Sequence, residues 1–240
     1  MKQKPLRLKS PIDAWHQAEK KIARTIYNAH TELSDMVKTV KERDPAAKSS
    51  AEILLLYSGV HAVMAHRISH KLYESGHTFS ARAVSQGAKF LTGIEIHPAA
   101  KIGKDFFIDH GTGVVIGETA EIGDHCTLYQ GVTLGGTGKD IGKRHPTLGD
   151  NVMIGAGAKV LGPVYIGSGS KIAAGAVVLH PVPENCTAVG IPAKVVRRGG
   201  VKLSDDLDQI HIPDPVAQEL ARLDDEIKKL KASVEDDGAN

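Results

Sequence analysis

Between Ile96 and Val182 an aliphatic residue returns at every sixth position, and that period restricts the possible fold more than any other property of the chain. The series runs Ile96, Ile102 and Ile108, then Ile116, Ile122, Leu128 and Leu134, then Leu148, Ile154, Val160, Ile166, Ile172 and Val178. Four residues after the leading aliphatic the side chain is usually small or apolar: Ala100, Ala120, Cys126, Val132, Val152, Ala158, Val164, Ser170 and Ala176. Two inward positions per short flat segment suit strands stacked in parallel as a coil. Cys126 occupies one of them, so it reads as a packing residue rather than a reactive thiol. Only two intervals depart from six. Ile108 to Ile116 holds Asp109-His110, and Leu134 to Leu148 holds Gly-Lys-Arg-His-Pro at 142–146. A loop that interrupts a strict repeat is a place for function, so the repeat reads as scaffold and the interruptions as chemistry.

Ahead of the repeat the periodicity is helical. Ile12, Trp15, Ala18, Ile22, Ile26, Ala29 and Leu33 recur at three- and four-residue steps after Ser10-Pro11, which predicts an amphipathic helix. A second short element runs to Arg43 and stops before Asp44-Pro45, because proline disfavours helix in the residue that precedes it. Ser49, Ser50 and Glu52 predict a helix start, and one helix, apolar around much of its circumference, is expected from there to about Glu74. Another follows from Ser80 to Leu91. His61, His66 and His70 read as members of helix faces rather than metal ligands. The expected domains are an all-helical segment at 1–93, a parallel β coil at 94–199 and a tail at 200–240. In the tail Leu220, Leu223, Ile227, Leu230 and Val234 form a short heptad pattern, open to two readings: a coiled coil, or a single helix lying on its own coil.

Composition excludes several function classes. A formal charge of +2 and 4% aromatic residues leave no phosphate-tracking surface or base-stacking platform, so nucleic acid is not an expected partner. No apolar run approaches the roughly 20 residues of a membrane helix, and no membrane partner is expected. Two cysteines and an amino terminus without an apolar signal region predict a reducing, cytoplasmic setting.

Five strings carry a family resemblance: Ile-His-Pro-Ala-Ala-Lys-Ile-Gly at 96–103, Asp-His-Gly-Thr-Gly at 109–113, Val-Ile-Gly-Glu-Thr-Ala at 115–120, Gly-Val-Thr-Leu-Gly-Gly-Thr-Gly-Lys at 131–139 and Gly-Lys-Arg-His-Pro at 142–146. Together, from about Lys41 to Arg198, they resemble the serine O-acetyltransferases of the hexapeptide-repeat acyltransferase superfamily. The resemblance implies an α+β fold: an all-α amino-terminal domain, a left-handed parallel β-helix and a helical tail. Handedness comes from the resemblance alone, since parallel crossovers are ordinarily right-handed.

The implied reaction is transfer of acetyl from acetyl-CoA to the L-serine hydroxyl, with no metal. A serine hydroxyl needs a base, and His110 is the implied one, with Glu95 at the family's aspartate position as the carboxylate orienting its ring. Asp44 and Asp109 would take the serine ammonium, Arg144 and His145 its carboxylate, and Glu118 a supporting place. Gly136, Thr137, Ala156 and Ala174 would line the coenzyme A groove, with Lys171 and Lys194 near its phosphates, and Gly190-Ile191-Pro192-Ala193-Lys194 would close it. The resemblance also implies feedback inhibition by L-cysteine and a homotrimer or dimer of trimers, with sites between subunits. A complex with O-acetylserine sulfhydrylase is doubtful, because family members that form it end in isoleucine and this chain ends Asp-Gly-Ala-Asn. Three other readings stay open: a hexapeptide acetyltransferase with another acceptor, a γ-type zinc carbonic anhydrase drawing on His97, His110, His125 and His145, and a non-catalytic assembly protein.

Overall fold

The structure, a computed structural model, describes residues 31–138, 141–199, 220 and 222–228. The Ser10–Ala29 helix expectation lies outside these residues, as do Leu230 and Val234 of the tail. Among the described residues four helices come first: α1 at residues 31–43, α2 at Ser50–Leu56, α3 at Ser58–Glu74 and α4 at Thr78–Thr92. Leu33 belongs to the same helical run as Arg43, so no break separates the two elements expected there.

The single helix expected from Ser49 to Glu74 is two. The Ser49 hydroxyl accepts from the Glu52 amide (3.1 Å), an N-cap that starts α2 as the sequence predicts. At Tyr57, however, the backbone turns extended (φ −84°, ψ 106°), and α3 begins anew. The phenol is drawn aside to Asp44, a tertiary bond without any periodic trace in the sequence. The break also corrects the expected burial: Ile53 is the buried residue of α2, while Leu55 and Leu56 are exposed.

Gly93, in the left-handed region at φ 72°, ends α4 and turns the chain into the coil. Thirteen short strands then climb three faces of a prism. Sheet A holds β1 (Glu95–Ile96), β4 (Val115–Ile116), β7 (Thr133–Gly135), β10 (Lys159–Leu161) and β13 (Val177–Val178). Sheet B holds β2 (Lys101–Ile102), β5 (Glu121–Ile122), β8 (Thr147–Leu148) and β11 (Tyr165–Ile166). Sheet C holds β3 (Phe107–Ile108), β6 (Thr127–Leu128), β9 (Met153–Ile154) and β12 (Lys171–Ile172). Each strand pairs in parallel with the one below, in a register that stacks the hexad aliphatics directly: Ile96, Ile116, Leu134, Val160 and Val178 on sheet A alone.

Every leading aliphatic is buried except Ile102, which is half-buried, and the nine small or apolar residues named four positions on are all buried. A buried Ile or Leu contributes about 2 kcal/mol, spread evenly along the prism. Cys126 is buried, and its thiol donates to the Gly149 carbonyl (3.1 Å).

The coil ends in a form the period did not predict. β14 (Cys186–Gly190) continues sheet C in parallel, then β15 (Ala193–Arg198) doubles back antiparallel. The helices dock on the coil through polar anchors: Arg67 donates to the Ile102 and Gly103 carbonyls (both 2.6 Å), and Arg43 to Thr127 Oγ1 (2.6 Å). Among the described residues no helix is long and apolar enough to cross a membrane. Residues 222–228 of the tail are helical and exposed.

Candidate active site

The two interruptions fall on different edges of the prism. Asp109 and His110 follow β3 and precede β4, on the edge between sheets C and A. Arg144 and His145 lie between β7 and β8, on the edge between sheets A and B.

On the first edge the Asp109 amide donates to the Leu128 carbonyl (2.9 Å), the last regular rung before the break. His110 then adopts a positive φ of 58°, a region that histidine, asparagine and aspartate enter more readily than most side chains. Its imidazole stands 75% exposed, Nε2 3.8 Å from Asp109 Oδ1. The start of α3 braces this turn. Ser58 Oγ donates to the His110 carbonyl (3.3 Å), and Gly59 lies so close to Ile108 that a Cβ there would overlap its carbonyl oxygen.

Asp44, just past α1, is held by two donors: the Ala46 amide to Oδ1 (2.8 Å) and the Tyr57 hydroxyl to Oδ2 (2.7 Å). Donating to a carboxylate, with burial added, pushes the Tyr57 phenol up to about 12. Burial raises the Asp109 carboxyl, and the Asp44 charge raises it further against the opposing pull of His110. Asp44, Asp109 and His110 therefore share one electrostatic neighbourhood, and two carboxylates in it favour a cation.

On the second edge Gly117, Glu118 and Thr119 make the turn between β4 and β5, beneath the loop that carries Arg144. Glu118 Oε2 accepts from Arg144 Nη2 (2.7 Å), which holds one side of the guanidinium. His145 is buried, and its Nδ1 accepts from the Thr119 amide (3.1 Å). Burial, then the neighbouring Arg144 cation, lowers its proton affinity, so the ring is neutral near pH 7. An arginine fork beside a neutral imidazole suits a carboxylate.

Of the other residues singled out in the sequence, Glu95 is paired with Lys89 (2.5 Å) rather than with His110. Ala156 and Ala174 lie at turns above His110 on the first edge, and Gly136 and Thr137 follow β7 on the second. Gly113, Gly131, Gly157 and Gly175 share the first edge at φ of 69–78°, and none of the four adds a side chain to it. Lys171 opens β12 and Lys194 lies in β15. His97 and His145 share the A–B edge, His110 the C–A edge and His125 the B–C edge, so these histidines do not converge within one chain. The sequence reading missed Tyr57, which lies in an apolar helical run without distinguishing signal. It also missed Gly117 and Thr119, although they lie inside one of the matched strings.

A coil of parallel hexads with polar loops at its edges defines the hexapeptide-repeat transferases, and the family model "Bacterial transferase hexapeptide (six repeats)" matches residues 145–180. Serine acetyltransferase of Bacillus licheniformis is 58% identical over 199 residues, 83% of this chain and 92% of that protein. The crystal structure of Neisseria gonorrhoeae serine acetyltransferase superposes with a TM-score of 0.72 at 41% identity, covering 84% of this chain and 79% of that one. A serine acetyltransferase solved in complex with cysteine gives 0.71 at 41% identity, covering 74% of each. The chain belongs to the serine acetyltransferase family, and its coil is the left-handed parallel β-helix of that fold.

Proposed function

We propose that this chain transfers an acetyl group from acetyl-CoA to the hydroxyl of L-serine, with His110 as general base and the acceptor held between the two edges. The single observation that carries the reading is the pairing of unlike half-sites: a dicarboxylate beside an imidazole on one edge, an arginine fork on the other. Together they match a zwitterion with a hydroxyl between its charges.

Asp44 and Asp109 bind the ammonium, and Arg144, steadied by Glu118, binds the carboxylate with His145. His110 takes the hydroxyl proton as the serine oxygen attacks the thioester carbonyl. The C–O bond forms, the C–S bond then breaks, and the imidazolium returns the proton to the departing thiolate. Direct transfer fits the cysteines: Cys126 is buried with its thiol pushed up to about 11 by that burial, which removes it as an acyl carrier. Glu95, on the rung beneath the 111–114 turn, orients His110 once it leaves Lys89, its partner in this structure. The pantetheine arm follows the glycine-lined edge past Ala156 and Ala174 and the Gly136-Thr137 loop, toward Lys171 and Lys194. Cysteine carries the same ammonium and carboxylate as serine, so it competes for this site, in keeping with a relative solved in complex with cysteine.

Half-sites on separate edges require a neighbouring subunit, and a ring such as the family's trimer brings one chain's His110 to the next chain's Arg144. Exposed Phe79, Phe90 and Leu91 on α4 supply apolar surface for such assembly. Two inactive variants, His110→Ala and Arg144→Ala, test this when unfolded together and co-refolded. In any ring mixed at random from equal amounts, about a quarter of the sites pair an intact His110 with an intact Arg144, restoring about a quarter of wild-type turnover. No recovery from a properly assembled mixture would put both halves in one chain.

A further inference from the structure

Thr119 has no role in the site as drawn, yet its polar atoms meet three consecutive residues of the second interruption. Thr119 Oγ1 accepts from the amides of Arg144 (3.0 Å) and His145 (3.1 Å). It also lies 2.9 Å from His145 Nδ1, which the Thr119 amide reaches at 3.1 Å. Lys143 Nζ donates to the Thr119 carbonyl (2.6 Å).

Hydrogen accounting then fixes the ring. A backbone amide only donates, so Nδ1 is the acceptor and the proton of the neutral imidazole resides on Nε2. With Oγ1 taking two amides, its own hydrogen is left to point at Nδ1. Gly117, one turn residue earlier, makes the seat possible by having no side chain: a Cβ there would overlap Cδ2 and Nε2 of His145. Its φ lies outside the left-handed region, so alanine at 117 meets a steric obstacle rather than a backbone one. Gly136 closes the other side, with a Cβ position 3.3 Å from Nε2.

We propose that Thr119 and Gly117 are positioning residues for substrate recognition: both seat His145 with the proton on Nε2, and Thr119 also fixes the Arg144 backbone, so that both donors meet the acceptor's carboxylate together. This rests on the reading that Arg144 and His145 hold that carboxylate. Neither residue touches the reacting atoms, and the effect runs entirely through the two side chains they hold.

The test is steady-state kinetics of four variants of the full-length assembled enzyme, varying serine and acetyl-CoA separately. Thr119→Val keeps the shape and removes Oγ1. It is expected to raise the KM for serine about tenfold while the KM for acetyl-CoA stays within about twofold. Thr119→Ser, which keeps the oxygen, restores the wild-type value. Gly117→Ala displaces the ring by another route and reproduces the serine-selective rise, so the inference does not depend on one variant folding. Arg144→Ala separates this inference from the reading beneath it. An unchanged serine KM in T119V and G117A, with R144A raised, overturns the seat, as does an equal rise for both substrates. An unchanged serine KM in R144A overturns the carboxylate reading and the inference with it.

Discussion

His66 ties the stability of the helical segment to pH in a way that can be calculated. Its side chain is 2% exposed on α3, and the Ala100 backbone is the one polar group that favours its charged form through a hydrogen bond. Burial, with Arg67 and His70 nearby, lowers its proton affinity from the ordinary 6.5 to about 3. Below pH 6.5 the unfolded chain therefore binds a proton that the folded chain refuses, and stability falls as pH falls. The stabilisation is complete above 6.5, and its loss continues down to about 3. At pH 5 the loss is 1.5 pH units at about 1.4 kcal/mol each, or about 2 kcal/mol per chain. For a chain of this size that lowers Tm by roughly 4–8 °C. His66→Leu keeps the volume and removes the titration. Thermal unfolding of both proteins at pH 7.5 and 5.0, at one concentration, should show the wild type losing this much more than the variant. Parallel losses would refute the reasoning, since every other carboxylate and histidine is common to both. A variant about as stable as wild type at pH 7.5 is also expected, because leucine replaces a buried polar ring by an apolar side chain of similar volume.

Three further outcomes follow from the site. His110→Ala should lower turnover by about 100-fold or more with folding intact, read by thiol release from acetyl-CoA; unchanged turnover would remove His110 as base. Tyr57→Phe deletes the donor to Asp44, a charge-assisted bond of about 1.5 kcal/mol, and should raise the serine KM roughly tenfold with little change for acetyl-CoA. Gly59→Ala drives a methyl into the Ile108 carbonyl and should cost about 1–3 kcal/mol of stability, seen as a lower Tm, while loosening the His110 turn that α3 braces.

The coil was legible in the sequence because its physics is periodic. Each hexad repeats the same inward demand, so thirteen aliphatics announce three faces, and the two irregular intervals mark the loops bearing His110 and Arg144. What escaped was set by pairs with no period. Tyr57 breaks a helical run because its hydroxyl finds Asp44, thirteen residues away. Lys89 takes Glu95 because Gly93 folds the end of α4 onto β1. Thr119 looks like any turn threonine until the loop 25 residues on is laid against it. The antiparallel return of β15 was likewise invisible, since a strand's direction leaves no mark on its hydrophobic pattern.

That return has a consequence beyond the site. A stack of parallel rungs has no intrinsic length, and its last rung presents open amides and carbonyls on which another copy could build, as fibrils do. On sheet C the final edge belongs to β15, which runs against the grain of the stack and carries Lys194, Arg197 and Arg198. A second coil meeting that edge would find three positive charges, of the kind that guard natural sheet edges. At the opposite end α4 and Gly93 lie ahead of the first rung, where Ile94 is fully buried. Among the described residues the edge that closes sheet C thus opposes end-to-end stacking by charge, a limit that the six-residue repeat itself does not contain.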